Sequence, residues 1–202
     1  MRTYGQYCAM ARGLDVIGDR WTLLIIRELL LQGPSRYAEL QRGLPGIATN
    51  LLADRLRDLE AEGIVVRKDG IASLTPRGRE LEPVMRAIGR WGAPLLAQPT
   101  PNEAFQSHWL ALPLQEFLAD HAPDRRPQTL EVRTGDEPLT VAVGQGKVRI
   151  RPGRPDAPDA IIGGPVRLVL PVLAGRVPLA TARVIFEGDR GVLRRLQPKA
   201  FA

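Results

Sequence analysis

Pro99-Thr100-Pro101 sets the strongest limit on what this chain can fold into. Two prolines in three residues remove backbone donors and fix φ, so neither a helix nor a central strand runs through them. The patterns on the two sides differ. Before the prolines, apolar residues recur at helical spacing; after Pro127 they alternate as in strands. The chain therefore reads as an α+β protein of two domains, a helical 1–98 and a sheet-plus-helices 99–202. A length of 202 residues accommodates both.

Hydrophobic residues make up 44% and charged residues 25%, which suits folded cores rather than disorder. No apolar run approaches the roughly 20 residues of a membrane span. The strongest, Leu23 to Leu31, is interrupted by Arg27 and Glu28. The first six residues carry no apolar signal region, and the expectation is a cytoplasmic protein. Net charge is +6, which favours an anionic partner such as nucleic acid. Residues 1–98 hold 14 Lys and Arg against 11 Asp and Glu, and residues 99–202 hold the same numbers, so charge does not say which half meets that partner. Cys8 is the single cysteine, which rules out an intramolecular disulfide and fits a reducing compartment.

In the first half, Cys8 to Val16 predicts a helix ended by Gly18. Asp19 is placed to cap a second helix that is apolar on nearly every face, from Trp21 to Leu31. Gly33-Pro34 ends it, and Ser35 is a good N-cap for a short helix carrying Tyr37, Leu40 and Leu44. After the Pro45-Gly46 turn, a helix from about Ala48 to Glu62 places Leu52, Leu56 and Leu59 on one stripe. Ile64 to Lys68, Asp69-Gly70 and Ile71 to Leu74 then read as a hairpin. Thr75-Pro76 opens a long helix toward Leu96, with Pro83, Gly89 and Pro94 as kinks or stops.

Helix, tight turn, helix, hairpin is the order of a winged helix-turn-helix, in which one helix fills the major groove and the hairpin reaches the neighbouring backbone. The helix face opposite Leu52, Leu56 and Leu59 carries Asn50, Asp54 and Arg57, with Thr49 at its start. Asn and Arg make bidentate contacts to base edges, and helix N-terminal amides favour phosphate. Arg67 and Lys68 sit on the hairpin, where phosphate contact is natural. Any surface helix also turns polar residues away from its core stripe, so the pattern alone leaves a solvated face open.

These residues resemble a known family. Asp15-Val16-Ile17-Gly18-Asp19-Arg20-Trp21-Thr22-Leu23-Leu24 with Cys8 before it looks like the opening of the HxlR-type winged-helix regulators. Pro34-Ser35-Arg36-Tyr37-Ala38-Glu39-Leu40, Pro45-Gly46-Ile47, Leu56-Arg57-Asp58-Leu59-Glu60-Ala61-Glu62-Gly63-Ile64 and Leu74-Thr75-Pro76-Arg77-Gly78 continue the match over residues 5–96. The resemblance implies a homodimer, joined through the first and last helices of the domain, on a palindromic double-stranded DNA operator. It adds Arg36 to Thr49, Asn50, Arg57, Arg67 and Lys68 as DNA-contacting residues. The family usually has Ser at the position of Ala48, a basic residue at that of Asn50, and a longer wing. These departures predict fewer phosphate contacts or a different half-site.

In the second half, Asn102 to His121 predicts one or two helices with a break at Pro113. Leu130 to Thr134, Leu139 to Val143, Val148 to Ile150 and Asp159 to Ile162 predict strands joined by short turns. Pro165 to Ala174 reads as a helix, Ala182 to Phe186 as a strand and Asp189 to Leu196 as a final helix. An antiparallel sheet with helices on one face follows. Val132-Arg133-Thr134-Gly135-Asp136-Glu137-Pro138, Val148-Arg149-Ile150-Arg151-Pro152-Gly153 and Phe186-Glu187-Gly188-Asp189-Arg190 resemble the sterol-carrier-protein-2-like fold. That resemblance implies a small apolar ligand between sheet and helices, walled by Phe105, Trp109, Leu168, Val172 and Phe186. The same side chains also suit a filled core.

Cys8 is a rival sensor, because some HxlR-type regulators use the matching cysteine as a redox switch; Arg12, one helical turn on, is the nearest cation. His108 and His121 stand without a zinc-ligand cluster, so no metal and no cofactor are expected. No nucleophile elbow, phosphate loop or dinucleotide fingerprint is present, and no enzyme is expected. The sequence thus predicts a ligand-responsive dimeric DNA-binding regulator. Two alternatives stay open: redox response through Cys8, and a ligand-sequestering protein whose winged helix serves mainly for dimerisation.

Overall fold

The computed structural model describes residues 3–97 and 102–198. The chain divides into two compact units, Met1–Ile88 and Gly89–Ala202. The boundary expected at 98/99 lies outside the described residues. No described helix is long and apolar enough to cross a membrane.

The first unit runs α1 (Ala9–Ile17), α2 (Thr22–Gln32), β1 (Ser35–Arg36), α3 (Tyr37–Arg42), α4 (Thr49–Ala61), β2 (Val65–Lys68), β3 (Ile71–Leu74) and α5 (Pro76–Arg79). Helix α6 (Glu82–Gly92) crosses the division between the units. Its core gathers Ile25, Ile26 and Leu29 of α2, Leu40 of α3, the Leu52-Leu56-Leu59 stripe of α4, and Val65, Ala72 and Leu74 of the hairpin. Each fully buried leucine contributes roughly 1.5–3 kcal/mol. Asp69 (φ +51°) and Gly70 (φ +76°) both occupy the left-handed region, as a two-residue type I′ hairpin turn requires. Gly43, after α3, packs against Glu28 of α2, a fully buried carboxylate; a Cβ on Gly43 would lie 2.2 Å from Glu28 Oε2. The Gln32 amide and the Arg27 guanidinium donate to that carboxylate at 2.7 and 2.9 Å.

Three local expectations change. Asp19 does not cap α2: the N-cap is Trp21, at φ +80°, and the Asp19 carboxylate pairs with Arg55 of α4 at 2.6 Å. Ser35 is not the N-cap of α3. It is buried in β1, opposite Ala72 of β3, while Arg36 takes the cap position and Glu39 Oε2 accepts its N–H at 2.5 Å. The hairpin thereby gains a third strand, in the order β1-β3-β2. The long helix from Pro76 is broken: α5 lasts four residues, α6 follows, and a 3-10 turn spans Ala93–Ala97. Thr75 caps α5 as its sequence suggests, accepting from Gly78 N–H at 3.1 Å with Pro76 in the first turn.

The second unit contains a 3-10 turn (Ser107–Leu110), α7 (Ala111–Phe117), β4 (Leu118–Asp120), β5 (Gln128–Arg133), β6 (Pro138–Gly144), β7 (Lys147–Pro152), β8 (Ala160–Gly163), α8 (Val166–Leu173), β9 (Ile185–Gly188), α9 (Gly191–Arg195) and β10 (Leu196–Pro198). Pro113 does not break α7; it is the helix's third residue, where no intrahelical N–H bond is lost. The sheet is mixed rather than antiparallel. Its order is β7-β6-β5-β8-β9, and β5 pairs with β8 in parallel, Leu130 opposite Ala160 and Val132 opposite Ile162. Leu130, Val132, Leu139, Val141, Val148, Ala160 and Ile162 share one face and pack with Leu114 of α7, Val169, Val172 and Leu173 of α8 and Val192 of α9. Reaching β8 from edge strand β7 takes the chain across β6 and β5. The 153–159 segment makes that crossing over the opposite face: Gly153 carbonyl accepts from Thr140 at 2.7 Å, and Arg154 Nε donates to Glu131 at 3.0 Å.

A separate pair of strands, β4 and β10, is fastened by a buried Asp120–Arg195 ion pair at 2.7 Å. Arg195 also donates to the Arg126 carbonyl at 2.6 Å. The Arg195 hydrogen bond, helped by the Ala122 and Gly146 N–H groups against the cost of burial, holds the Asp120 carboxyl at about 2, below its ordinary 3.8. A depressed carboxylate stabilises the fold above its unfolded value and loses that contribution as pH falls through the folded one. The second unit should therefore lose stability between pH 3.8 and about 2. Asp120→Asn should cost about 3–5 kcal/mol at neutral pH by leaving Arg195 buried without its carboxylate. Hydrogen exchange of the β4, β5 and β10 amides reads both; equal protection in wild type and variant would contradict this role for the pair.

Candidate nucleic-acid interface

Helix α3, the Gly43–Ala48 turn and helix α4 form the helix-turn-helix, and β1, β2 and β3 form the wing beside it. The start of α4 is held by α3. Tyr37 Oη donates to the Thr49 carbonyl at 2.5 Å, and Gln41 Nε2 donates to Thr49 Oγ1 at 2.9 Å. Thr49 and Asn50 are exposed in the first turn of α4, where backbone N–H groups lack intrahelical partners. Asn50 Oδ1 accepts the Leu51 N–H at 3.0 Å, a local bond that a base edge must displace. No acidic side chain lies in this turn, so its amides and the helix dipole favour an anion.

The remaining expected contacts divide by pairing. Arg57 is 64% exposed but bound to Asp54, three residues earlier on the same helix. Arg67 on β2 donates to Glu60 Oε2 of α4, from Nη2 at 2.6 Å and Nε at 2.9 Å. That bond holds Glu60 below the usual carboxylate range. Arg36 and Lys68 behave differently. Both register on Ile71, from opposite edges of β3, so they share one row on the outer face of the wing sheet. Two strand spacings separate their backbones by roughly 10 Å. Among the described residues, neither side chain has an ion pair. The surface thus offers a helix N-terminus and two uncommitted cations, while Arg57 and Arg67 must exchange protein carboxylates for phosphate or base. The sequence reading missed this competition, although the Asp54–Arg57 spacing at i, i+3 signals it.

Two apolar stripes also lie open. Tyr7, Met10 and Leu14 line α1 and the residue before its cap, and Val84, Ile88 and Trp91 follow at i, i+4, i+7 along α6. Trp91 is 76% exposed, and no residue of α6 is buried. Cys8 is exposed at the N-cap of α1. The Arg12 guanidinium sits 5.1 Å from the Tyr7 ring centroid, stacked on that ring.

In the second unit the five residues expected to wall an apolar pocket belong mainly to packing. Val172 is in the core cluster, Phe105 and Phe186 pack against it, and Trp109 and Leu168 are half-buried. A cleft opens elsewhere, lined by polar residues from Arg133 to Pro138 with Arg154, Gly164 and Pro165. No group of His, Cys, Asp and Glu among the described residues could hold a metal ion.

Comparison with known proteins bears on the first unit. Residues 16–99 match the HxlR-like helix-turn-helix family model. The uncharacterized HTH-type transcriptional regulator sll1512 of Synechocystis sp. is 37% identical over 101 residues, covering 46% of this chain and 74% of that protein. The uncharacterized HTH-type transcriptional regulator YvaP of Bacillus subtilis is 35% identical over 88 residues, covering 40% and 80%. The crystal structure of quinone-bound YodB from B. subtilis is 35% identical, covers 42% of this chain and 96% of that one, and superposes with a TM-score of 0.40.

The pairing pattern predicts that Asp54→Ala frees Arg57 and removes a charge from the α4 face. Binding to duplex DNA should tighten, and the slope of log affinity against log salt should steepen by about 1. An unchanged slope in a salt-dependent anisotropy titration would place Arg57 away from the phosphates.

Proposed function

The chain belongs to the HxlR-like helix-turn-helix family, and we propose that this transcriptional regulator acts as a homodimer on a palindromic DNA operator. The observation that carries the DNA reading is the anchored start of α4: Thr49 and Asn50 project from an uncapped helix N-terminus beside the Arg36–Lys68 row. In the proposed complex, α4 enters the major groove with Asn50 toward base edges and Arg57, once released from Asp54, toward a flanking phosphate. Thr49 and the first-turn amides meet a phosphate, and Arg36, Arg67 and Lys68 take the backbone beside the groove.

The dimer reading rests on the stripes of α1 and α6. Large apolar side chains at helical spacing on a helix with nothing buried are suited to the same stripe on a second copy. A sheet with helices packed on one face supports the sterol-carrier-protein-2-like reading of the second unit, while its parallel β5–β8 pair departs from the antiparallel sheet expected of the sequence. On that resemblance, an apolar effector would enter beside the half-buried Trp109 and Leu168 and displace packing at Phe105, Val172 and Phe186. It changes operator affinity only if it binds the DNA-competent and incompetent states unequally. One observation favours a second reading: the exposed Cys8 thiol, next to the α1 stripe, is placed to respond to oxidants at a dimer contact.

Fluorescence anisotropy with the chain's own upstream promoter DNA, against scrambled duplex at equal salt, tests the regulator reading. Specific binding should exceed scrambled binding by at least roughly 10³-fold. Equal, salt-sensitive binding to both would leave only generic attraction, and no binding would favour a ligand-sequestering protein that dimerises through its winged helix. Trp91→Arg should yield a monomer by sedimentation and lose most specific affinity; a variant still dimeric would move the interface off α6. Cys8→Ser with unchanged oxidant response would remove the redox reading.

A further inference from the structure

Strand β7 is an edge of the five-stranded sheet and pairs with β6 alone. Its side chains alternate. Val148 and Ile150 turn into the core with the helices, and Lys147, Arg149 and Arg151 turn to the opposite face. All three of these cations are exposed. They form a single file about 13 Å long, with neighbours roughly 6.6 Å apart. Among the described residues, none of the three has an ion pair.

A charge on an edge strand ordinarily serves to stop pairing with other chains. One lysine is enough for that, and an acidic residue directly opposite on the next strand ordinarily balances it. Here the residues opposite Lys147, Arg149 and Arg151 are Gly144, Ala142 and Thr140. None is acidic, so the file repels itself. Gly144 and Ala142 also leave a low shelf beside Lys147 and Arg149, closed at its far end where the Gly153 carbonyl takes the Thr140 hydroxyl.

The acidic groups nearby do not neutralise the file. Glu131, two strands in, takes Arg133 and Arg154, and Arg133 also faces Glu187 of β9, so those four charges balance. Asp159 pairs with Arg126 at 2.7 Å, and Asp120, which accepts the Gly146 N–H at the β6–β7 turn, pairs with Arg195. Asp124, in the 121–127 loop beside that turn, is offset by Arg125. Asp136 and Glu137 are turned to the Ser107 N–H and to His108. Glu137 lies three strand residues before Thr140, roughly 10 Å from the level of Arg151 and farther from the others, beyond the ~8 Å screening length. Even with Asp156 of the crossover counted against it, the file keeps a surplus of two positive charges.

We propose that the β7 file grips the phosphodiester backbone of duplex DNA, as a sequence-independent contact that the second unit adds to those of α4 and the wing. The proposal rests on the reading of the chain as a DNA-binding regulator. A single file of cations suits a linear polyanion: each DNA strand carries one phosphate per 3.4 Å of axis, about four over the length of the file. An anionic membrane suits it less, because binding at a lipid surface also needs large apolar side chains to insert, and Gly144, Ala142 and Thr140 beside the file supply none.

The test is a salt titration by fluorescence anisotropy of the full chain, on promoter duplex and on scrambled duplex of equal length. Each cation withdrawn from a phosphate lowers the slope of log affinity against log salt by about 0.9. Lys147→Gln, Arg149→Gln and Arg151→Gln combined should therefore flatten the slope by about 2–3 per chain on both duplexes, with the ratio of promoter to scrambled affinity unchanged. A second triple variant, Arg167→Gln with Arg176→Gln and Arg183→Gln, removes the same charge from exposed positions elsewhere on the unit and should leave the slope within 1 of wild type. Matching thermal melts will show that both variants fold. Equal slopes in wild type and the β7 variant overturn the proposal and leave the operator reading intact. Equal flattening by both variants overturns it in favour of net charge alone. A file-dependent slope without promoter preference supports it and overturns the operator reading. File-dependent binding to phosphatidylglycerol vesicles, with the DNA slope unchanged, overturns the assignment to DNA.

Discussion

Leu52, Leu56 and Leu59 are buried to within 2% of full coverage on one side of α4, and on a helix that turns about 100° per residue this fixes where every other side chain points. Thr49, Asn50 and Arg57 face outward because those leucines face into the core shared with α2, α3 and the hairpin. The same burial brings Arg55 to Asp19 and Glu60 to Arg67, so the helix is also braced against the α1–α2 turn and against the wing. The exposed face of α4 proposed to meet DNA is thus a by-product of core packing, and its rigidity comes from the leucine stripe on the opposite side and from these two braces.

The second unit solves a different problem. A parallel pair inside a short mixed sheet needs a crossover, and the chain supplies it as an irregular segment over the polar face rather than as a helix. That segment would strand Glu131 and Thr140 beneath it without partners. Arg133, Arg154 and the Gly153 carbonyl provide those partners, which is why a carboxylate can be nearly fully buried on the face of the sheet opposite the apolar core. The charged clamp is therefore structural in origin.

Much of the first unit was legible in the sequence because its signals are local. A three-leucine stripe, an Asp-Gly turn and a Thr-Pro helix start each act over a few residues. Strand β1 was not, since two residues have no periodicity and exist as a strand only through pairing with β3, some 35 residues on. The same reason hid the parallel β5–β8 pairing: alternation identifies a strand and its buried face but not its neighbour. Of the residues proposed to contact DNA, positions were readable, but partners were not for Arg67, whose carboxylate comes from another element. Of the five residues expected around a ligand, Val172, Phe105 and Phe186 lie in or against the core; shape decides whether such residues enclose a space, and shape is not in the pattern.

The Asp120–Arg195 pair joins residues 75 positions apart and seats the strand that follows Arg195 against β4. Contacts of such separation form late, because the loop between them must close first. During synthesis, every buried residue of the first unit's core has been made once Leu74 leaves the ribosome, with only Leu81 and Met85 still to pack against it, while the second unit lacks its clasp until Arg195 emerges. The helix-turn-helix is thus ready on the nascent chain while the second unit is still open. A chain cut short between Leu74 and Arg195 would carry the buried core of the first unit beside a second unit without its clasp, so interrupted synthesis leaves the open sheet rather than the helix-turn-helix exposed to misfolding.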